Sequence, residues 1–235
     1  MNNQGLTISI HPLAGIGEVR PGDDLAGLLI EALRALGPAD SDVLVVTQKV
    51  VSKAEGALAQ ASTEADYREV VEREAISVLR RRGPMTITVT RHGFVCANAG
   101  VDRSNVLDDQ VVLLPTDPDR SAHRIRLRVE REFGIDLAVI VTDTFGRAWR
   151  QGLVDVAIGV SGMLPILDLR GTPDMNGRPL EVTEVAIADE LAAAAELAIG
   201  KASGRPAALI KGVNYPRGEG RATDLIRPAA ADLFR

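Results

Sequence analysis

The sequence contains little cysteine and histidine, and both shortages narrow the possible functions. Cysteine occurs once, at Cys96, so the chain cannot form an internal disulfide framework, and we expect a reducing, cytoplasmic location. The three histidines, His11, His92 and His123, lie far apart, and none has the spacing of zinc ligands. The sequence therefore favours neither a disulfide-stabilised secreted domain nor a zinc enzyme.

Aromatic residues and long apolar runs are also scarce. Only 3% of the residues are aromatic, so Ala, Val, Leu and Ile must fill the core. No apolar run reaches the roughly 18 residues that span a bilayer, so no membrane partner is expected. Residues 1–5 lack the basic and apolar regions of a secretion signal.

Positive charge is not in excess. The chain has 27 Lys and Arg against 32 Asp and Glu, which gives a net charge of −5. Because nucleic-acid binding needs a basic face, we expect no nucleic-acid partner. A small polyanion can still bind where local cations or metal ions face it. The 46% hydrophobic and 25% charged residues are typical of a soluble globular protein with a sizeable core.

The hydrophobic pattern predicts an α+β fold of mixed sheets with flanking helices. The first predicted helix is capped by Asp23 or Asp24 and ends near Leu36. Further helices are predicted over residues 65–82, 119–133 and 183–199, and strands over residues 6–10, 42–46, 85–90, 93–97, 110–114, 137–141, 155–160, 164–169 and 207–210. No linker separates autonomous domains, so residues 1–235 are expected to form one domain, within which we predict two lobes.

The most informative stretch runs from Val139 to Gly152. An apolar strand leads into Thr142, Asp143 and Thr144, and Arg147 and Arg150 follow on either side of the single tryptophan. Hard oxygen ligands at a strand tip suit Mg²⁺ or Mn²⁺, and guanidinium groups suit a phosphate or carboxylate. The ordinary alternative is a strand followed by a charged turn.

A second polar cluster lies upstream, where Asp102 and Asn105 occur among small residues. Asp102 is a candidate metal ligand and Asn105 a candidate donor, although a sequence of this kind is more often a capped turn. Gln48 and Lys53 follow another predicted strand, and we expect them on the loop at its end. Two loops rich in glycine cover residues 11–19 and 211–221.

The polar residues suit one class of ligand. There is no Walker-type phosphate loop and no nucleophile elbow. Oxygen ligands without Cys or His point to Mg²⁺ or Mn²⁺, and together with the cations they suit a nucleoside triphosphate.

These segments together resemble the coenzyme F420-0:L-glutamate ligase family, the F420 gamma-glutamyl ligases of deazaflavin coenzyme synthesis. The matching segments cover nearly the whole chain, at residues 20–24, 47–56, 99–106, 142–150, 182–190 and 225–234. The resemblance implies the fold of that family and a homodimer. It does not imply the C-terminal flavin-binding domain that some bacterial members carry.

The resemblance implies GTP-dependent addition of L-glutamate to a coenzyme F420 precursor, followed by further γ-linked additions. The acceptor would be the carboxylate of F420-0 or of its enol or glycerate analogue. A carboxylate is a poor acylating agent, and transfer of the γ-phosphoryl group of GTP would convert it into an acyl phosphate. Two divalent ions, Mg²⁺ or Mn²⁺, would offset the gathered negative charge.

The resemblance also assigns residues. One metal ion is placed on Asp102 and Asp143, and a second on Thr144 and Glu219. Lys53, Arg147 and Arg150 are expected to act in catalysis, the arginines by holding the acidic substrate. The predicted nucleotide-binding residues are Ile16, Gly17, Glu18, Val19, Gln48, Lys53, Asn105, Arg217, Gly218, Gly220 and Arg221.

Three other functions are compatible with the same residues. A metal-dependent phosphohydrolase would release phosphate without glutamate. A non-catalytic GTP-binding module would bind GTP without forming GDP in response to glutamate. A plain α+β domain whose acidic residues cap turns would show no metal dependence.

Overall fold

The computed structural model describes residues 7–104, 106, 109–201 and 203–232. The α-helices are α1 (Leu25–Arg34), α2 (Gln48–Glu55), α3 (Glu64–Glu74), α4 (Pro118–Phe133) and α5 (Ile187–Ile199). The strands are β1 (Ser9–Pro12), β2 (Val43–Thr47), β3 (Leu58–Gln60), β4 (Ala75–Arg82), β5 (Met85–Thr90), β6 (Val95–Ala97), β7 (Gln110–Val112), β8 (Ala138–Arg147), β9 (Arg150–Ser161), β10 (Leu167–Asp168), β11 (Glu184–Val185) and β12 (Ala207–Lys211). Among the described helices, none is both long and apolar enough to cross a membrane.

The largest sheet among the described residues is a five-stranded mixed sheet, in the order β1-β12-β2-β8-β9. Only β2 and β8 are parallel, and the other neighbours pair antiparallel. Together with two- and three-stranded sheets and flanking helices, this arrangement confirms the predicted α+β class. It is consistent with the family fold that the sequence implied.

The main sheet is covered on both faces, which explains why its central strands are continuous apolar runs. Alternate residues of a strand point to opposite faces. Leu44 and Val46 therefore pack with α1 and α4, whereas Val43 and Val45 pack with α5. The small side chains of α5, such as Ala188 and Ala195, let that helix lie close to the sheet.

A smaller part of the chain has its own apolar cluster. The sheet β4-β5-β6 and the pair β3-β7 accompany α3, and Val70, Val71, Ala99 and Val111 are buried there. Asp102 belongs to this part, because its backbone exchanges two hydrogen bonds with Val112 in β7, at 2.9 and 2.8 Å. The division into two lobes stays a prediction.

The predicted helix over residues 65–82 is wrong in its second half. Helix α3 ends at Glu74, and Ala75–Arg82 forms β4, which pairs with β5. The β-branched residues Ile76 and Val78 favour a strand. Arg80, Arg81 and Arg82 therefore lie on a strand.

Two further expectations about the polar segments are corrected. Asp143 and Thr144 do not end a strand, since β8 continues to Arg147 and pairs with β9 in a long hairpin. Gln48 and Lys53 do not lie on a loop, since they belong to helix α2, which begins directly after β2.

Candidate functional site

One end of the main sheet gathers four separate segments. Because β2 and β8 are parallel and β12 runs against β2, the C-terminal halves of β2 and β8 lie at the same end as the start of β12. The loop after β1 reaches this end too, where the Leu13 N–H donates to the Ala207 carbonyl at 2.8 Å. Ligand sites commonly form at the carboxyl ends of parallel strands.

A cavity of about 860 Å³ opens between these segments. Its volume is within the range of small-molecule sites. Nine described residues that the sequence singled out line it, namely Ile16, Gly17, Glu18, Val19, Gln48, Lys53, Asp102, Asp143 and Thr144. The structure thus brings together polar residues that lie far apart in the sequence.

Asp102 reaches the cavity from the smaller part of the chain and has a cationic partner. Lys49 Nζ lies 2.8 Å from its carboxylate, and the Ser104 N–H and hydroxyl donate to it at 2.7 and 2.9 Å. Partial burial opposes ionisation of Asp102, but the hydrogen bonds from Lys49 and Ser104 outweigh it and lower the pKa. Asp102 is therefore a carboxylate at neutral pH.

Asp143 sits in a different environment. Burial raises its pKa to about 7, and the negative charges of Asp102 and Asp155 add to this rise. The Thr144 N–H and Lys49 act in the opposite direction. A carboxyl group with so little compensating charge is one that a bound cation would stabilise as the carboxylate.

Thr144 belongs to a polar cluster that joins β8, β9 and α5. Its hydroxyl donates to Asp155 at 2.6 Å, and Lys201 Nζ lies 2.7 Å from Asp155 and 3.1 Å from Glu196. Burial works against the Lys201 ammonium, but its bonds to Asp155 and Glu196 prevail and raise its pKa. Burial raises the pKa of Glu196, and repulsion from Asp155 adds to it.

Helix α2 presents its first turns to the cavity. Gln48 is buried and accepts a hydrogen bond from Ser52 at 2.8 Å, which fixes its amide. Lys53 is largely buried and lies 3.8 Å from Glu18 of the loop after β1. The helix therefore contributes Lys49 and Lys53 as two cations on one side of the cavity.

Thr142 supplies an observation that bears on metal binding. Its hydroxyl is buried, and it has no hydrogen-bond partner among the described residues. Together with the carboxyls of Asp102 and Asp143, this oxygen gives the cavity hard donors of the kind that Mg²⁺ and Mn²⁺ prefer. No group of three or more His, Cys, Asp or Glu suited to a metal was found within the described part of the chain.

Arg147 and Arg150 do not line the cavity of their own chain. They lie at the turn of the β8–β9 hairpin, where Arg147 donates to the Gln151 carbonyl at 2.8 Å. Both are exposed, as is Trp149 between them. Their contact with the acidic substrate stays a prediction.

The loop from Arg217 to Arg221 lies at the opposite end of the sheet. Arg217 pairs with Asp136, just before β8, and donates to Ser41, just before β2. Glu219 is 83% exposed and lies 3.7 Å from Arg126. Thr144 lies six residues after Ala138, which is roughly 20 Å along β8. Within one chain, Arg217, Gly218, Glu219, Gly220 and Arg221 are therefore not brought to the cavity that Asp143 and Thr144 line.

Asn105 lies outside the described residues. Among the charged residues that line the cavity, the sequence did not single out Asp155, Glu196, Lys201 and Arg205. Asp155 could have been found only from the hairpin register, which places it opposite Thr144.

Comparison with known proteins gives a consistent result. The family model described as F420-0:Gamma-glutamyl ligase matches residues 15–212. A coenzyme F420:L-glutamate ligase of Methanothermobacter thermautotrophicus is 42% identical, over 97% of this chain and 99% of that protein. Those of Methanopyrus kandleri and Archaeoglobus fulgidus are 44% and 37% identical, over 97% and 98% of this chain and 98% and 97% of the relatives.

Proposed function

This chain belongs to the F420-0:Gamma-glutamyl ligase family, and on that premise we propose that it adds L-glutamate to the carboxylate of a coenzyme F420 precursor. The observation that carries the proposal is the cavity at one end of the main sheet. It combines the acidic residues Asp102 and Asp143 with the cationic residues Lys49 and Lys53. A ligase that gathers a triphosphate and a carboxylate needs both kinds of group.

We propose GTP as the co-substrate. A precursor carboxylate oxygen bonds to the γ-phosphorus while the bond to GDP breaks, which gives an acyl phosphate. The glutamate nitrogen then bonds to the carbonyl carbon, phosphate leaves, and the amine loses a proton. Lys53 and Lys49 reduce the repulsion between the anions, which is the main task of the protein in phosphoryl transfer.

We propose that Asp102 and Asp143 hold one Mg²⁺ or Mn²⁺ ion and that Thr144 contributes to a second. The raised pKa of Asp143 and the unpaired Thr142 hydroxyl support a cation there. When bound, such ions would offset the charge of the triphosphate. Glu219 is not included, because it lies at the far end of the sheet.

We also propose a homodimer. Several large apolar side chains are exposed, among them Trp149 and Leu153 of the β8–β9 hairpin, at 86% and 68%. Exposed apolar groups on one projecting hairpin are typical of contact surfaces. The cytoplasmic location stays a prediction from the single Cys96, which is buried and free.

The test is to measure GDP and phosphate formed from GTP, with the precursor and L-glutamate each present or omitted. We expect GDP formation that requires both. Heavy-oxygen label in the precursor carboxylate should appear in the released phosphate, because one labelled oxygen leaves with it. Absence of label from the phosphate would exclude the acyl phosphate.

The same experiment separates the alternatives. Phosphate release from a phosphorylated metabolite without glutamate would indicate a phosphohydrolase. Tight GTP binding without GDP formation would indicate a non-catalytic module. Activity that is indifferent to removal of divalent ions would exclude the proposed metal role.

A further inference from the structure

The turn that precedes Asp102 has an unusual backbone. Asn98, Ala99 and Gly100 are consecutive residues in the left-handed region, with φ of 49°, 55° and 70°. A residue other than glycine is disfavoured there, because its Cβ crowds the following carbonyl oxygen. In the described part of the chain four such residues have a positive φ, and two of them are adjacent in this turn. Strain of this kind persists only where surrounding contacts hold it, and it clusters at functional sites.

Hydrogen bonds to the neighbouring strand β5 hold the turn. Thr88 is buried, and its hydroxyl accepts from the Ala99 N–H at 2.9 Å and donates to the Cys96 carbonyl at 3.2 Å. The Thr86 N–H donates to the side-chain oxygen of Asn98 at 2.9 Å. Both non-glycine residues of the turn are therefore tied to β5 in their left-handed conformation.

Helix α3 holds the end of the turn through Tyr67. The Tyr67 hydroxyl donates to the Val101 carbonyl at 3.1 Å. Burial raises the pKa of Tyr67, so the hydroxyl keeps the proton that it donates. The Arg103 guanidinium lies over the ring, 3.9 Å from its centroid, and Arg103 also pairs with Glu64. Tyr67 is thus fixed in place, and it holds the residue directly before Asp102.

The turn and Asp102 belong to the same wall of the cavity. Four consecutive-segment residues line it there, namely Asn98, Gly100, Val101 and Asp102. The backbone of Asp102 exchanges two hydrogen bonds with Val112. Tyr67 and Val112 therefore hold the backbone at Val101 and at Asp102, which limits the directions that the Asp102 carboxylate can take. A ligand that is held before binding loses less freedom when it binds.

We propose that Tyr67 is a positioning residue, which acts through the strained turn to hold the Asp102 carboxylate ready for a divalent ion. The inference rests on the metal role proposed for Asp102. Tyr67 is not among the described residues that line the cavity, so its effect on the ion passes through Val101. The alternative is that the Tyr67 hydroxyl only stabilises the fold.

The test compares Tyr67→Phe with the wild type by titration with Mn²⁺ in the presence of GDP, with free Mn²⁺ measured by electron paramagnetic resonance. Phenylalanine keeps the ring and removes only the hydroxyl. Loss of a residue that orients a metal ligand typically weakens metal binding about 10- to 100-fold, and we expect about 10-fold because Tyr67 acts through the backbone. The Mn²⁺ concentration for half-maximal ligation should rise by the same factor, and saturating Mn²⁺ should restore most of kcat.

The chain offers two matched controls. Tyr215→Phe removes a hydroxyl that also donates to a backbone carbonyl, that of Asp42, at the opposite end of the main sheet. Thr88→Val and Thr90→Val form a second pair, since both hydroxyls are buried on β5 and accept a backbone N–H, but Thr90 accepts from Phe94 and not from the turn. Thr88→Val should weaken Mn²⁺ binding, whereas Tyr215→Phe and Thr90→Val should bind Mn²⁺ as the wild type does.

Each other outcome decides against the inference. Unchanged Mn²⁺ binding by Tyr67→Phe, with or without a lower kcat, would assign the hydroxyl to the fold and overturn the positioning role. Equal weakening by Tyr215→Phe would show a general loosening and overturn it as well. A wild type that binds no Mn²⁺ would instead overturn the metal role within the proposed function itself.

Discussion

Two carboxyl groups on the same cavity differ because their neighbours differ. Asp102 has Lys49 and Ser104 as hydrogen-bond donors, and its pKa is lowered. Asp143 is buried beside other acids, and its pKa is raised to about 7. Perturbed groups in a cleft are typical of functional sites. On the proposed metal role, we therefore expect Asp143 to depend more than Asp102 on a bound cation.

Asp143→Asn tests this dependence. Loss of one electrostatic contact to the transition state typically costs about 10²–10³ in rate, so we expect kcat to fall by that factor while the circular dichroism spectrum stays unchanged. Asp168→Asn is the control, because that exposed carboxylate pairs with Arg170 away from the cavity. A variant at position 143 with more than about a tenth of the wild-type rate would refute the metal role.

Part of the site could be predicted from single residues. Asp102 and Asp143 stand out in the sequence because each belongs to a small polar cluster that follows apolar residues. Asp155 and Lys201 do not, because their role depends on a hairpin register and on the packing of α5. The position of Arg217 and Glu219 could not be predicted either, since the sequence of a basic glycine-rich loop does not show at which end of a sheet the loop lies.

At the scale of elements, the start of α4 packs closely against β9, the strand at the edge of the main sheet. A Cβ added at Gly159 would lie 2.4 Å from the Pro118 carbonyl oxygen, which is backbone and cannot give way easily. Asp119 accepts N–H bonds from Val160 at 2.8 Å and Ala222 at 3.0 Å. One carboxylate therefore joins the helix start, the strand and the C-terminal segment.

Gly159→Ala is expected to destabilise the protein by about 1–3 kcal/mol, because the helix must move away from the strand. Urea unfolding would measure this loss. Gly146→Ala is the matched control, since that strand glycine has nothing within 4 Å of the added Cβ. Equal stabilities of the two variants would show that the close approach carries no cost.

Asp119→Asn gives a prediction with a defined pH dependence. Burial raises the pKa of Asp119 above 3.8, with hydrogen bonds opposing and Asp117 adding to the rise. The folded state therefore binds the proton more tightly than the unfolded state. The contribution of Asp119 to stability is fully present below pH 3.8 and is lost as pH rises through the folded pKa.

The free energy of unfolding of wild type minus that of Asp119→Asn should therefore fall between acidic and neutral pH. Denaturant unfolding across this range measures the difference. A difference that grows with pH would mean that the two N–H donors outweigh burial, contrary to the expected sign.

Most elements could be predicted from their patterns, but their partners could not. Helix α1 is capped by Asp24, as its sequence indicates. Helix α4 ends at Phe133, and the next residue, Gly134, has the left-handed backbone conformation that glycine favours. The hydrophobic pattern predicted the wrong element at Ala75–Arg82. This segment is rich in charged residues, and it forms a strand because it pairs with β5. Parallel pairing of β2 with β8 depends on contacts across more than ninety residues of sequence, which no local signal contains.

At the scale of the whole molecule, the exposed hairpin apolar groups support self-association. We expect light scattering to give the mass of two chains at the concentrations used for activity. The mass of one chain under those conditions would contradict the proposed homodimer. An activity assay on the same sample would show whether a single chain is sufficient for activity.

The account depends most on glutamate being joined to a deazaflavin precursor at the cavity formed by the two parts of the chain. Mass spectrometry after incubation with the precursor, GTP, Mn²⁺ and L-glutamate tests this directly. We predict product that is heavier by one or more glutamate residues, formed by the wild type and not by Asp143→Asn. Unchanged precursor with the wild type, or equal product with the variant, would contradict the account.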